Sequence, residues 1–179
     1  YLWEGEYTLL APIGTANCRI YGGFNGDGTW ATRDGFAHQT IIKGSSFPFL
    51  NHESIVIING LSFANFNAVI NSGGNLAIYD NCAFTDCDSD STGLIVNNNL
   101  FSNCNFGEIT HPPLTPNMKD CVFVDSTGTL RGADLTVEDC KFYRGTITLD
   151  GATITDCEFT GVVIGSRTGT AYTGCTMSN

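Results

Sequence analysis

Three aspartates that each precede a cysteine are the residues of this sequence best suited to catalysis. Asp120, Asp139 and Asp156 recur at intervals of 17 to 19 residues. Paired carboxylates can hydrolyse a glycosidic bond, and carboxylates that bind calcium beside a basic residue can serve a polysaccharide lyase. The charged residues next to them are Glu138, Glu158, Lys119, Lys141 and Arg144. All of these positions follow a repeat, which is more typical of residues that shape corners than of an active site.

The eight cysteines are the second set with possible chemistry. A zinc site is disfavoured because no C-x-x-C pair occurs and His38, His52 and His111 are far apart in sequence. Disulfides stay open because the count is even; Cys18 and Cys87, which fall outside the repeat, are the candidates for a bridge to another coil or subunit. The cysteines within the repeat are expected to be small buried apolar residues. We predict no metal site and no cofactor.

The largest irregular segment, residues 24–54, is the third candidate. It contains Trp30, Arg33, Asp34 and His38. The first interpretation is an ordered loop that covers one end or side of the structure, and the alternative is a binding surface.

A repeated phrase must position these residues. A polar residue or glycine, a cysteine, one variable residue and a phenylalanine recur every 17 to 22 residues. The cysteine column is predicted to hold Cys82, Cys104, Cys121, Cys140, Cys157 and Cys175, with Leu61 in the first slot. The aromatic column is predicted to hold Phe63, Phe84, Phe106, Phe123, Phe142 and Phe159, with Met177 in the last slot. Residues two apart on a strand face the same side, so both columns are expected to point inward.

The length of the repeat predicts a parallel β-solenoid, in which successive coils lie about 4.8 Å apart and equivalent side chains stack. The residues before each cysteine of the column, and Gly60 before Leu61, tolerate a left-handed backbone and are predicted to form a corner: Gly60, Asn81, Asn103, Asp120, Asp139, Asp156 and Gly174. We therefore predict an all-β, single-stranded parallel β-helix of about eight rungs in one domain, 1–179. Residues 1–54 would form irregular opening rungs with a loop insertion, and 55–179 the regular rungs of 17 to 22 residues.

The opening phrases "EGEYTL", "IYGGFNG", "TRDG" and "TIIKG" and the later "I-x-D-C-x-F" rungs carry a family resemblance. Together they resemble right-handed β-helix surface proteins, including the chlamydial polymorphic outer-membrane proteins and the adhesin-like proteins of bacteria and archaea. The resemblance implies a right-handed coil and a surface location. Its motifs are structural, so they indicate the fold more than a function.

The net charge of the chain and the predicted ends of its coil restrict the classes of binding partner. The formal net charge of −10 opposes binding to nucleic acid or anionic lipid, and no apolar run is long enough to cross a bilayer. The sequence shows no polar cap at either end of the coil, so either the chain is part of a longer protein or another copy covers its ends, head to tail.

We therefore expect a non-enzymatic extracellular protein of the cell surface, structural or adhesive, that self-assembles end to end into a filament or sheath. Its partners would be further copies of itself and cell-surface or extracellular polysaccharide. The alternative is a carbohydrate-active β-helix enzyme, either a polysaccharide lyase or a glycoside hydrolase, or a carbohydrate-binding remnant of one. In that case Asp120, Asp139 and Asp156 would be its carboxylates.

Overall fold

All strand pairs in the described part of the chain are parallel. The computed structural model describes residues 1–11, 18–25, 29–30, 33–35, 37–44, 50–52, 56–66, 70–72, 77–89, 94–110, 117–132, 135–166 and 169–179. The strands are β1 (Gly5–Thr8), β2 (Cys18–Tyr21), β3 (Thr40–Lys43), β4 (Leu50–His52), β5 (Val56–Asn59), β6 (Ser62–Ala64), β7 (Ile70–Ser72), β8 (Ala77–Asp80), β9 (Ala83–Thr85), β10 (Asp88–Ser89), β11 (Leu94–Asn97), β12 (Leu100–Ser102), β13 (Asn105–Thr110), β14 (Asn117–Lys119), β15 (Val122–Arg131), β16 (Thr136–Glu138), β17 (Lys141–Asp150), β18 (Thr153–Thr155), β19 (Glu158–Ser166), β20 (Ala171–Thr173) and β21 (Thr176–Ser178).

The strand order is that of a coil. One sheet runs β2-β5-β8-β11-β14-β16-β18-β20, and the second runs β1-β3-β6-β9-β12-β15-β17-β19-β21, with β10 and β13 attached. A third, small sheet pairs β4 with β7. Neighbours in space are separated in sequence by one full turn of the chain, which confirms the predicted all-β parallel solenoid.

The regular part is shorter than predicted. About five turns are regular, whereas about eight rungs were expected. Five phrases bury both the cysteine and the phenylalanine that follows it, whereas at the last strand Cys175 is only half-buried and Met177 is 59% exposed. The predicted number of rungs includes the opening turns and the last turn. The opening turns lack the repeated phrase, and the last turn has a neighbouring turn on one side only, so its side chains are not fully buried.

Stacked phenylalanine rings run along the core. Successive ring centroids lie 4.7 to 5.1 Å apart, with planes inclined by 3° to 13°. The ladder consists of Phe63, Phe84, Phe101, Phe123, Phe142 and Phe159. Offset stacking of this kind stabilises aromatic pairs by roughly 0.5–1.5 kcal/mol beyond the area that they bury.

Phe101 occupies the place in this ladder that was predicted for Phe106. Phe101 pairs with Phe84 on one side and Phe123 on the other. Phe106 is also buried, but it lies opposite Gly128, where its ring leaves no room for a Cβ atom. "NLF" at 99–101 has asparagine where "CNF" at 104–106 has cysteine, so alignment of the turns on cysteine shifts this turn by five residues.

Each regular turn has two corners, and both use a left-handed backbone. The first corner has φ values of 52° to 72° and consists of Gly60, Asn81, Asn98, Asp120, Asp139, Asp156 and Gly174. The second has φ values of 51° to 61° and consists of Asn65, Asp86, Asn103, Asp125, Arg144 and Gly161. Glycine, asparagine and aspartate adopt this conformation most readily. The residue types at the first corner were predicted correctly, but Asn103 belongs to the second corner and Asn98 takes its place.

The displacement also changes the cysteine columns. Asn99 lies opposite Cys82, so Cys104 is not in the first-corner column. Cys104 follows the second corner, directly above Cys87. Cys87 is therefore part of a second buried column rather than a residue outside the repeat.

Candidate functional site

The corner aspartates form one row on the outside of the coil. Asp120, Asp139 and Asp156 are exposed, and each has a φ of 52° to 54°. Since successive coils are about 4.8 Å apart, the three side chains lie beside one another along one edge. Glycosidases instead place two carboxylates on either side of the bond that they cleave. The row therefore lacks the opposed arrangement that this chemistry requires.

The charged neighbours of this row are engaged in ion pairs. Lys119 Nζ lies 3.1 Å from Glu138 Oε1 and 3.5 Å from Asp139 Oδ2, and the hydrogen bond with Glu138 raises the pKa of Lys119. A lysine can take a proton from a sugar only in its neutral amine form. The neighbouring carboxylates stabilise the charged ammonium form of Lys119, which disfavours this role.

The remaining predicted neighbours lie on other parts of the turn. Arg144 sits at the second corner and makes two hydrogen bonds of 2.7 Å to the Asp125 carboxylate. Glu158 Oε2 accepts a hydrogen bond of 3.2 Å from the Tyr143 hydroxyl, and Lys141 is exposed in β17. These side chains are not gathered around the aspartate row.

The buried thiols connect neighbouring turns through hydrogen bonds. The Cys140 backbone N–H donates to Cys157 Sγ at 3.4 Å, and that thiol lies 3.3 Å from the Thr155 carbonyl oxygen. Cys121 N–H donates to Cys140 Sγ in the same way, also at 3.4 Å. Each of these thiols accepts from the turn before it and donates to the carbonyl oxygen two residues earlier in its own turn. The expectation that these cysteines are only small apolar residues is therefore incomplete.

Other residue types make the same connection elsewhere in the two columns. Asn99 Oδ1 accepts from Cys82 N–H at 2.7 Å, and its amide nitrogen donates to Tyr79 O at 3.0 Å. Ser126 Oγ accepts from Cys104 N–H at 3.2 Å and donates to a carbonyl oxygen at 2.9 Å. A thiol, an amide and a hydroxyl are thus interchangeable in this role because each can both donate and accept.

All cysteines whose side chains are described are free thiols: Cys82, Cys87, Cys104, Cys121, Cys140, Cys157 and Cys175. Burial raises the pKa of Cys82 to about 12, and the hydrogen bond with Cys104 followed by burial raises the pKa of Cys87 well above its usual range. A nucleophilic cysteine needs the thiolate form, which the environments of Cys82 and Cys87 oppose, whereas the hydrogen bond with Cys87 lowers the pKa of Cys104. The side chain of Cys18, the other residue predicted for a bridge, lies outside the described residues.

Arg33 joins the loop insertion to the first turns. Its Nε donates to Gly22 O at 2.8 Å, and its Nη2 donates to Asn59 O at 2.9 Å and to the Asn59 side-chain oxygen. Asn59 in turn donates from Nδ2 to Asp80 Oδ2 at 2.7 Å. One guanidinium group therefore joins the insertion to two other segments, at Gly22 and Asn59, and Asn59 extends this network to Asp80.

Glycines make this close approach possible. A Cβ atom on Gly23 would lie 2.6 Å from Gly35 Cα, and one on Gly35 would lie 2.9 Å from Gly60 Cα. A Cβ on Gly60 would collide with the Arg33 guanidinium. The opening phrases rich in glycine thus form a cradle in which the loop lies directly on the first corner.

Aromatic rings surround the same guanidinium. Arg33 Cζ lies 5.5 Å from the ring centroids of Tyr21 and Phe24 and 5.7 Å from that of Trp30. Trp30 packs edge-on against Tyr1, Tyr21 and Phe24 with centroids 5.2 to 5.5 Å apart. Phe24 is buried, whereas Trp30 remains 56% exposed. The tryptophan is held in place and still presents ring surface to solvent.

A cleft of about 220 Å³ opens beside this cluster. It is lined by Arg33, Asp34, Gly35, Asn59, Gly60 and Asn81. Of the residues singled out in the insertion, the structure brings together Trp30, Arg33 and Asp34. His38 instead makes a 3.0 Å contact with Glu4 and is not among the lining residues. Sequence reasoning missed Asn59, Gly60 and Asn81, although the repeated glycines could have indicated a close approach.

No protein-family model and no curated protein sequence matches this chain. Among the described residues, no group of three or more histidine, cysteine, aspartate or glutamate side chains could hold a metal ion. The described part of the chain also contains no helix long and apolar enough to span a membrane.

Proposed function

We propose that this chain is a non-enzymatic structural or adhesive protein of the cell surface, belonging to the right-handed β-helix class that its sequence resembles. Its partners would be further copies of itself and extracellular or cell-surface polysaccharide. The observation that carries the proposal is the single outward row of Asp120, Asp139 and Asp156 at left-handed corners. In this interpretation the aspartates are present because they adopt the left-handed backbone conformation of the corner, and their carboxylates make the outer edge negatively charged.

The aspartates fit a corner role for two reasons. Their φ values are shared by Asn81 and Asn98 at the same corner of other turns, where no carboxylate is present. An asparagine or aspartate can adopt this backbone conformation at little steric cost, which explains the choice between these two residue types without any catalysis.

An exposed edge strand supports self-association. Among the strands that the structure describes, β21 pairs with β19 alone, and its three residues are exposed. Met177 lies over Phe159 at the end of the aromatic ladder and is 59% exposed. A strand edge that lacks a partner and lies beside an apolar residue is a template for further parallel pairing, and a head-to-tail contact of this type extends into a filament.

A depolymerisation assay tests the proposal against the enzyme alternative. We would incubate the wild-type chain and an Asp120→Asn/Asp139→Asn/Asp156→Asn variant with a panel of neutral and acidic polysaccharides, with and without calcium, and measure chain length by size-exclusion chromatography. Asparagine keeps the corner conformation, so the variant should retain the wild-type unfolding midpoint. We expect neither protein to shorten any polymer.

Cleavage by the wild-type chain that falls by roughly 100-fold or more in the triple variant would replace this proposal with the enzyme alternative, since that is the minimum contribution typical of a catalytic acid or base. Asp86→Asn is the matched control, because Asp86 lies at the second corner, outside the row. An active enzyme of this kind should keep its rate in the control.

A further inference from the structure

The surface formed by Trp30, Arg33, Asp34, Asn59 and Asn81 combines an exposed aromatic ring with a polar cleft. Arg33 belongs to both parts, since it lines the cleft and lies 5.7 Å from the Trp30 ring. We propose that this Trp30 surface binds a neutral saccharide, with one sugar ring stacked on the indole and its hydroxyl groups in the cleft. The inference rests on the proposed adhesive function and names the ligand class.

Trp30 has the properties of a stacking platform. Its contacts with Tyr1, Tyr21 and Phe24 and the nearby Arg33 guanidinium hold the indole in place from several sides. A side chain that is already ordered loses little conformational entropy when a ligand binds. Its exposed ring surface can cover the C–H face of a pyranose, which is the apolar side of an otherwise polar molecule.

The lining of the cleft matches sugar hydroxyl groups. Hydroxyl groups both donate and accept hydrogen bonds, and the cleft offers a guanidinium, a carboxylate and two amides within one small volume. Asn59 uses its amide oxygen for Arg33 and its amide nitrogen for Asp80, and Asn81 Oδ1 accepts a hydrogen bond from Asn98, so both amides are oriented before a ligand arrives. An amide has two N–H donors and two acceptor lone pairs, so a sugar hydroxyl would bond to each amide as a second partner. A few polar groups that converge beside an apolar surface are typical of small-molecule sites.

The volume of the cleft and the net charge of the chain restrict the class of saccharide that can bind. The cleft of about 220 Å³ is smaller than the roughly 300–1,000 Å³ of sites for drug-sized ligands, so it fits one sugar ring and not an enclosed oligosaccharide. The net charge of −10 repels polyanions at a distance, which disfavours acidic polysaccharides. Because the cleft is open, a neutral polysaccharide chain would place one sugar unit in it, and the rest of the chain would extend into solvent.

Anchoring of the loop does not explain the whole arrangement. The hydrogen bonds of Arg33 and the glycine cradle are sufficient to fix residues 33–35 on the first corner. They do not require a tryptophan that remains 56% exposed beside a polar cleft. A residue with a purely anchoring role would be expected to bury its ring as Phe24 does.

Binding of the purified 179-residue chain to defined polysaccharides tests the inference. Affinity gel electrophoresis and titration calorimetry would use soluble β-glucan, mannan and galactan, with polygalacturonate as the acidic comparison. We expect at least one neutral polymer to bind and polygalacturonate not to bind. Trp30→Ala should weaken binding at least 10-fold, and Trp30→Phe, which keeps an aromatic ring, should retain part of it.

Trp3→Ala is the matched control, because Trp3 is 55% exposed and is not one of the rings around Arg33. It should leave the affinity unchanged. Unfolding midpoints of all variants would establish that they are folded. Lack of binding by the wild-type chain, preference for polygalacturonate, or equal binding by Trp30→Ala and wild type would overturn the inference.

The two proposals fail in different ways. The size of the bound polymer would be measured in the same samples after incubation. If binding of a polymer requires Trp30 and the polymer is also shortened, the Trp30-dependent binding would support this site and the cleavage would overturn the proposed non-enzymatic function. Failure to bind without any cleavage would overturn the saccharide site alone.

Discussion

At the scale of single residues, the buried polar atoms of the corners have a shared purpose. In the described part of the chain, four corners are followed by a buried backbone N–H that is bonded to a side chain of the next turn, at Cys82, Cys104, Cys121 and Cys140. An unpaired buried group of this kind is costly. Cys157, Asn99 and Ser126 satisfy such groups with three different functional groups. The stacked cysteines are thus hydrogen-bonding residues of small volume, which explains why other turns can replace them with asparagine or serine.

Substitution of Cys157 separates this role from simple packing. Cys157→Val keeps a buried apolar side chain of similar size but removes the acceptor of the Cys140 N–H, so it should lower the free energy of unfolding by about 1–3 kcal/mol. Cys157→Ser keeps a donor and an acceptor and should be the more stable of the two by about 1 kcal/mol. Equilibrium unfolding in guanidinium chloride measures both values.

Cys175 provides the control for this comparison, because it is only half-buried at the last turn. Cys175→Val and Cys175→Ser should differ less than the two Cys157 variants. A Cys157→Val chain as stable as Cys157→Ser would mean that the thiols act only as apolar filling.

At the scale of the strands and corners, much of the fold could be predicted from local patterns. The alternation of cysteine and phenylalanine indicates an inward-facing strand, and Asn, Asp and Gly indicate left-handed corners. The placement of Phe101 and Cys104 could not be predicted with the same rules. The phrase that ends at Phe101 has Asn99 where other turns have cysteine, so the cysteine rule selects the phrase that ends at Phe106 instead. Only pairing with the turns on both sides places Phe101 in the ladder.

The left-handed corner at Asp139 predicts an unusual order of substitutions. Both Asp139→Ala and Asp139→Gly remove the contact with Lys119, so their difference isolates the backbone. Because alanine at a φ of 52° is strained and glycine is not, Asp139→Gly should be more stable than Asp139→Ala by about 1 kcal/mol. Thermal and denaturant unfolding would give the two values.

Thr136, in the strand of the same turn, supplies the opposite case. Glycine weakens a strand interior, so Thr136→Gly should be less stable than Thr136→Ala. If alanine were favoured over glycine at both positions, the corner would not require the left-handed conformation described here.

At the scale of the whole molecule, the candidate binding surface depends on contacts between distant parts of the chain. The insertion singled out in the sequence supplies Trp30, Arg33 and Asp34. Asn59 and Asn81 come from the next two turns and reach the cleft only because the coil stacks those turns beside the insertion. A sequence pattern contains neither this stacking nor the glycine contacts that allow it. Asn59, Gly60 and Asn81 could therefore be assigned to the cleft only from the three-dimensional structure.

The stacked turns also leave the two ends of the ladder in different environments. Phe63 is covered by Ile42 in the preceding strand, whereas Phe159 is covered by the exposed Met177. A second copy placed over β21 would bury this methionine and pair the edge strand. Association should therefore depend on an apolar residue at the end of the coil and not on its side walls.

Sedimentation velocity over a wide range of protein concentrations, with electron microscopy of the same samples, tests the structural role most directly. We expect the wild-type chain to form end-to-end assemblies whose mean mass rises with concentration. Met177→Asp should shift assembly to at least 10-fold higher concentration, whereas Thr127→Asp, which adds the same charge on a side wall, should not. A wild-type chain that remains monomeric throughout, or that assembles equally well with Met177→Asp, would contradict self-association through the end of the coil.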